Sequence, residues 1–216
     1  IPTNEIEYLI AGDLLNQIIS AGFAARELAL PFLGIYGACS TIAQAAILGS
    51  IIIDGGFAEN LVAAASSHFC TAERQFRYPL ELGNQRPPTS QWTVTGAGAA
   101  VLSNKPVNPR LTYVTFGKVM DMGSANVNDM GGAMAPGAAD TIVQHLEDTG
   151  RSPGDYDLII SGDLASVGSG ILVELLKNKG IDITNNISDC GILIYSPQQD
   201  VHAGGSGCGC AAVVTC

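Results

Sequence analysis

Cys39 sits in the string Gly37-Ala38-Cys39-Ser40-Thr41, directly after an apolar run from Phe32 to Tyr36 and directly before an alanine-rich apolar stretch. That pattern predicts a strand, a tight turn and a buried helix, with the thiol at the head of the helix. Backbone N–H groups and the helix dipole stabilise a thiolate there, which makes the turn the expected seat of chemistry or ligand contact. The alternative is a small thiol packed as a hydrophobe. Ser40 shares the turn. His68 ends the apolar segment Leu61 to Ser67, and the ends of strands in open α/β sheets are where ligands collect. Its other reading is a buried histidine satisfied by backbone carbonyls. Asp13 and Asp163 each follow a glycine at the end of an apolar run, where an aspartate can serve a ligand or cap the next helix. Cys208 and Cys210 form a C-x-C with His202 six residues upstream, without a second ligand pair at zinc spacing, so small residues packed at a tight turn are the expectation and no metal is called for. His145 is predicted to be a surface residue of a helix.

The elements that must position these groups come in two copies. Residues Glu5 to Leu14 match Asp155 to Leu164 at an offset of 150, each copy reading as an acidic turn, a buried strand and a Gly-Asp at its end. A helical stretch follows in each (Leu14 to Leu28; Val167 to Lys179), then a strand (Phe32 to Tyr36; Ile192 to Tyr195), then a Gly/Cys-rich turn. Between the copies, Leu61 to Ala65 and Val94 to Leu102 read as strands, with Thr71 to Gln91 an irregular excursion. Small residues at Gly96 to Ala100 allow close approach of neighbouring elements. Leu111 to Val119 is predicted as a further strand, and Ala135 to Glu147 as an amphipathic helix opening at Pro136. The expectation is one duplicated α/β domain with pseudo-twofold symmetry, mixed sheets and buried central helices, the first repeat covering about 1–103 and the second about 110–216. The second copy lacks counterparts of the later elements of the first, and the chain reads as the middle of a longer protein.

The composition bounds the function. Of 216 residues, 47% are hydrophobic and only 14% charged, which is enough for a sizeable core and leaves apolar surface for a second copy to cover, so a homodimer is expected. A net charge of −10 opposes nucleic acid and anionic membranes. The longest apolar run, Ile42 to Ile53, is broken by Gln44 and Ser50 and stopped by Asp54, so no membrane span or signal peptide is predicted and a cytoplasmic setting with reduced thiols is expected.

The duplicated unit, the cysteine at the head of a buried helix and the strand Gly96 to Leu102 resemble the thiolase superfamily, in particular β-ketoacyl-ACP synthase III. The strings AGDLLNQ (11–17), GACST (37–41), IDGGFA (53–58), SSH (66–68), TAERQFRYP (71–79), MAPGAADTI (134–142), DYDLI (155–159) and AGGSGCGC (203–210) resemble the stage V sporulation protein AD family over the whole chain. That resemblance implies a thiolase-like fold turned to binding dipicolinic acid (pyridine-2,6-dicarboxylate) during uptake into the developing spore. It also implies membrane partners of the same transport system and a place peripheral to the spore inner membrane.

Condensing enzymes of the superfamily pair a thiolate with two His, or a His and an Asn. Cys39 matches the nucleophile, while the second-half His falls where this chain has Gly162-Asp163-Leu164 and the Asn near Gly204-Gly205-Ser206, so a pseudoenzyme is implied. His202 lies close enough to the glycine turn to stand in for a lost histidine. A dianionic ligand needs compensation, and Arg74 and Arg77 are the close arginine pair of the excursion, set there for carboxylates or for salt bridges with Glu73 and Glu81. Alternatively the ligand arrives as its nearly neutral Ca²⁺ chelate, with no cofactor of the protein's own. The expected ligand set is Cys39, Ser40, His68, Arg74, Arg77, Asp163 and His202. Two rivals remain, an acyltransferase using Cys39 with acyl-CoA or acyl-ACP, and a structural docking subunit of a membrane complex.

Overall fold

The computed structural model describes residues 1–106 and 108–216, with the side chains of 71–74 outside that description. The chain divides into two compact units, Ile1–Ala72 with Thr93–Thr112 and Gly207–Cys216, and Glu73–Trp92 with Tyr113–Ser206.

The first unit is built on a four-stranded sheet. β1 (Tyr8–Asp13) lies parallel to both β2 (Phe32–Gly34) and β3 (Asn60–Ser67), and β5 (Gly96–Ser103) runs antiparallel to β3, in the order β2-β1-β3-β5. Side chains alternate across a strand, so β1 feeds two cores. Leu9 and Ala11 pack against Ala21 and Ala25 of α1 (Ile19–Leu28), while Ile10 packs with Leu61, Ala63 and Ala45 of α2 (Thr41–Asp54). A strand covered on both faces needs the nearly continuous apolar run that Leu9-Ile10-Ala11 supplies. The last helix of the unit, α7 (Cys208–Thr215), lies on β3 and β5. Its close seat comes from Gly98, where any side chain would run into the backbone of Ala212, as the small-residue strand predicts.

The second unit packs α4 (Met130–Thr149) on α5 (Ala165–Lys177) beside the short parallel pair β6 (Ile159–Ser161) and β7 (Ile187–Asp189). Its core is Ala135, Ala139, Leu164, Leu172, Leu176 and Ile183. β4 (Gln91–Thr93), whose first two residues belong to this unit, pairs with β8 (Gly204–Ser206). The remaining helices are α3 (Phe69–Phe76) and the single turn α6 (Cys190–Leu193).

Three sequence expectations are corrected. The strand expected at Ile192–Tyr195 is one residue stretch too late: Ile192 and Leu193 lie in α6, because the Asp189 side chain accepts from Gly191 N and starts a helical turn there, and the strand is β7. Short apolar runs do not separate helix from strand by pattern alone. Residues 111–119 form no strand and join no ladder among the described residues, which leaves Leu111, Tyr113 and Phe116 exposed. α4 opens at Met130, not at Pro136, since Asp129 caps it by accepting from Gly132 N at 2.9 Å; Pro136 then sits inside the helix.

Candidate functional site

In the first unit the candidate residues gather at the carboxyl ends of β1, β2 and β3. Beyond β2 the chain turns through Gly37 and Ala38, whose φ of 47° is left-handed, into a 3-10 turn, Ala38–Ser40, that carries Cys39 and runs into α2. The turn is stapled. Thr41 Oγ1 donates to Ala38 O at 2.7 Å, Ser40 Oγ to Gly37 O at 2.8 Å, and Gln44 Nε2 reaches Ser40 Oγ at 3.2 Å. Ser40 therefore spends its hydroxyl on the turn and does not cap α2, whose start at buried Thr41 follows a half-buried thiol and an exposed serine. An anion is the natural partner of such a helix end.

His68 lies just past β3, half-buried, with Nε2 3.0 Å from Ser20 Oγ. Ser20 lies in the first turn of α1, and its N–H and that of Ala21 reach Asp13 Oδ2 at 2.8 and 3.2 Å, while Ser66 Oγ donates to Asp13 Oδ1 at 2.5 Å. Asp13 is thus the cap of α1 and the tie between β1 and β3. The end of β3 also holds α7: Cys208 Sγ donates to Ser66 O at 2.8 Å, and Gly209 N to Ser67 Oγ at 3.1 Å. The turn bearing Cys39 packs on α7 in turn. The result is a set of hydroxyls and one imidazole, held by backbone or side-chain partners, beside the Cys39 thiol.

In the second unit Asp163 is buried, and its carbonyl accepts from Gln91 Nε2 at 2.7 Å. The repeat pairs it with Asp13, yet the capping work is done by Asp189 at the end of β7. Its carboxylate accepts from Leu164 N (2.9 Å), Ala165 N (2.8 Å), Gly191 N (2.8 Å) and Ser161 Oγ (2.6 Å). Arg77 is buried and donates from Nη1 to Tyr78 O at 3.3 Å, and the side chain of Arg74 lies outside the described residues. His202, with φ 51°, has Nδ1 2.8 Å from Pro87 O and Nε2 3.2 Å from Asp200 Oδ1. Cys208 and Cys210 are buried in α7, and among the described residues no three His, Cys, Asp or Glu side chains are placed to hold a metal ion.

Sequence reasoning missed Asp189, whose signal was the Asp-x-Gly spacing of a helix cap, and misjudged His145. That histidine is half-buried and bridged, with Nδ1 2.8 Å from Thr115 Oγ1 and Nε2 2.7 Å from Tyr156 Oη. The irregular 111–119 segment covers α4 at that point, which a helical pattern by itself does not reveal.

Cys190 separates a buried thiol from a reactive one. Burial first, then the charges of Asp189 and Asp163, push its pKa from 9.0 up to about 12. Iodoacetamide at neutral pH is expected to label exposed Cys70 and Cys216 and to leave Cys190 untouched until the protein is unfolded, as read by peptide mass spectrometry. The unfolded thiol ionises above about 9 while the folded one keeps its proton, so this group removes stability as the pH rises from 9.0 towards about 12.

Comparison with known proteins places these features in context. The sequence model of the family described as stage V sporulation protein AD matches residues 1–216. The stage V sporulation protein AD of Bacillus subtilis is 53% identical over 212 residues, covering 98% of this chain, and the chain spans 63% of that relative's length. Among solved structures, 3-oxoacyl-[acyl-carrier-protein] synthase III of Aquifex aeolicus aligns with a TM-score of 0.62 at 16% identity, over 98% of this chain and 67% of the other. A variant of OleA from Xanthomonas campestris aligns with a TM-score of 0.68 at 13% identity, over 99% of this chain and 67% of the other. At those identities the likeness establishes the fold, a thiolase-like α/β architecture.

Proposed function

Since the chain belongs to the stage V sporulation protein AD family, we propose that it is a thiolase-like binding protein for dipicolinic acid, taken as the dianion or as its Ca²⁺ chelate, during uptake into the developing spore. Its role is binding without acyl chemistry. The observation that carries the reading lies at the carboxyl end of the first sheet: the start of α2, which makes no side-chain cap bond, beside Cys39 and Ser40, and His68 held by Ser20. Carboxylate oxygens are acceptors, and hydroxyls, an imidazole N–H and helix N–H groups are the partners they need.

The same family reading brings membrane partners of the transport system and a place peripheral to the spore inner membrane; among the described residues no helix is long and apolar enough to cross a membrane. The assembly proposed is a homodimer. Its support is the exposed apolar residues Phe32 and Leu33 on the edge strand β2 together with the low charge of the chain.

Calorimetric titration with dipicolinic acid, with and without Ca²⁺, tests the reading. Saturable heat is expected, with affinity falling about 10-fold or more in His68→Ala, the loss of one hydrogen bond to a charged group. Cys39→Ala is expected to weaken binding as well. Absence of heat in both conditions excludes dipicolinate as ligand. Retention of the cysteine at a helix head keeps acyl transfer as the second reading, and a thioester on Cys39 after incubation with acyl-CoA, seen by intact-protein mass spectrometry, would establish it in place of the first.

A further inference from the structure

In the second unit His202, a residue of the expected ligand set, meets two residues outside that expectation, Arg86 and Trp92, in a carboxylate-binding arrangement that a side chain of the protein fills. Arg86 donates from Nη2 to the Asp200 carbonyl at 2.8 Å and to Asp200 Oδ2 at 3.1 Å. Its guanidinium lies over the Trp92 ring, 4.5 Å from the centroid. His202 meets the other oxygen of the same carboxylate, Nε2 to Oδ1, at 3.2 Å. Pro87 O is an acceptor only, so Nδ1 of His202 carries a hydrogen, and Nε2, the nitrogen that faces the carboxylate, donates to it when the ring is the imidazolium. Arg86 and His202 therefore converge on the two oxygens of one carboxylate.

The asymmetry of burial separates this from an ordinary surface ion pair. The side chains of Arg86 and His202 are 12% and 19% exposed, whereas that of Asp200 is 81% exposed. The donors are fixed by packing, by the indole face and by backbone carbonyls. The acceptor is a solvated side chain that gives up little on leaving, since water competes well for an exposed carboxylate. Arg86 Nη1 is buried and has no hydrogen-bond partner among the described residues, so the guanidinium holds donor capacity that Asp200 leaves unused. The Asp200 carbonyl would keep the guanidinium aimed after the carboxylate swings away.

We propose that Arg86, Trp92 and His202 form a carboxylate-recognition subsite, occupied in the ligand-free protein by the Asp200 side chain, which an incoming small carboxylate displaces. The identification of that carboxylate as one arm of dipicolinate rests on the function proposed above, whereas the subsite itself rests on the Arg86–Asp200–His202 geometry. Arg86 then takes the part that the sequence assigned to Arg74 and Arg77.

Trp92 is the single tryptophan of the chain, so its emission reports this subsite alone. The experiment titrates wild type, Asp200→Asn and Arg86→Gln with dipicolinate and with benzoate, following Trp92 fluorescence excited at the red edge and calorimetric heat in parallel. Asp200→Asn alters only an exposed side chain and keeps its size, so it stays folded even if Arg86→Gln does not. A saturable Trp92 response that tightens at least about 5-fold in Asp200→Asn is the expected result, and its loss in folded Arg86→Gln would agree. Dipicolinate heat with no Trp92 response, unchanged in Asp200→Asn, overturns the subsite and leaves the dipicolinate reading intact. A benzoate response sharpened by Asp200→Asn with no dipicolinate heat does the reverse. Silence to both ligands in both readouts overturns both.

Discussion

Replacing Asp189 with alanine is expected to destabilise the second unit by about 4 kcal/mol, seen as a lower urea midpoint with little change in slope. The carboxylate is fully buried and serves four donors, three of them backbone N–H groups. Leu164 and Ala165 begin α5, and Gly191 belongs to α6, so one side chain satisfies the open ends of two helices and the hydroxyl of a neighbouring strand. Alanine leaves those donors buried without an acceptor, and each such group costs about 1–3 kcal/mol. Asp189→Asn is expected to cost about half as much. Its amide oxygen still accepts from Ala165 N and Gly191 N, but its NH₂ is turned against Leu164 N. A result near zero for alanine would mean that water reaches all three N–H groups, which is incompatible with the burial described.

The comparison of Asp189 with Asp13 shows what a linear repeat can and cannot convey. Matching Glu5–Leu14 with Asp155–Leu164 located β1 and β6 and predicted an aspartate at the end of each. In the first unit the aspartate does cap the next helix, through Ser20 N and Ala21 N. In the second unit α5 starts two residues after Asp163, yet the cap comes from Asp189 of the adjacent strand. A cap supplied across a sheet depends on which strand is the neighbour, and sequence order does not hold that information. The same limit explains the candidate site. Cys39, Ser40 and His68 were legible because strand ends and helix starts are local patterns. Ser20 lies 48 residues from its partner His68, and Arg86 lies 114 residues from its partner Asp200, so these pairings become visible only in three dimensions.

Two glycines in α5, separated by a single residue, are expected to respond in opposite directions. Gly168 lies against Gly131 of α4, and a Cβ at 168 would stand 2.7 Å from Gly131 Cα, closer than carbon atoms approach. The obstacle is backbone, so no rotamer relieves it. Along α4 the buried residues Gly131, Ala135 and Ala139 are spaced by four, as are Gly168, Leu172 and Leu176 along α5, so the two helices meet ridge to groove on rows that begin at the paired glycines. Lifting the helices apart at that end withdraws Leu172 and Leu176 from Ala135 and Ala139, the centre of the unit's core. Gly168→Ala is expected to cost about 2–3 kcal/mol and Gly168→Val more, enough for insoluble expression. Gly170 has open space where its Cβ would be, so Gly170→Ala gains helix propensity without a clash and should raise stability by about 0.5–1 kcal/mol. Urea midpoints of the two alanine variants, measured side by side, decide the matter: equal shifts would mean that α4 and α5 do not cross at Gly131 and Gly168.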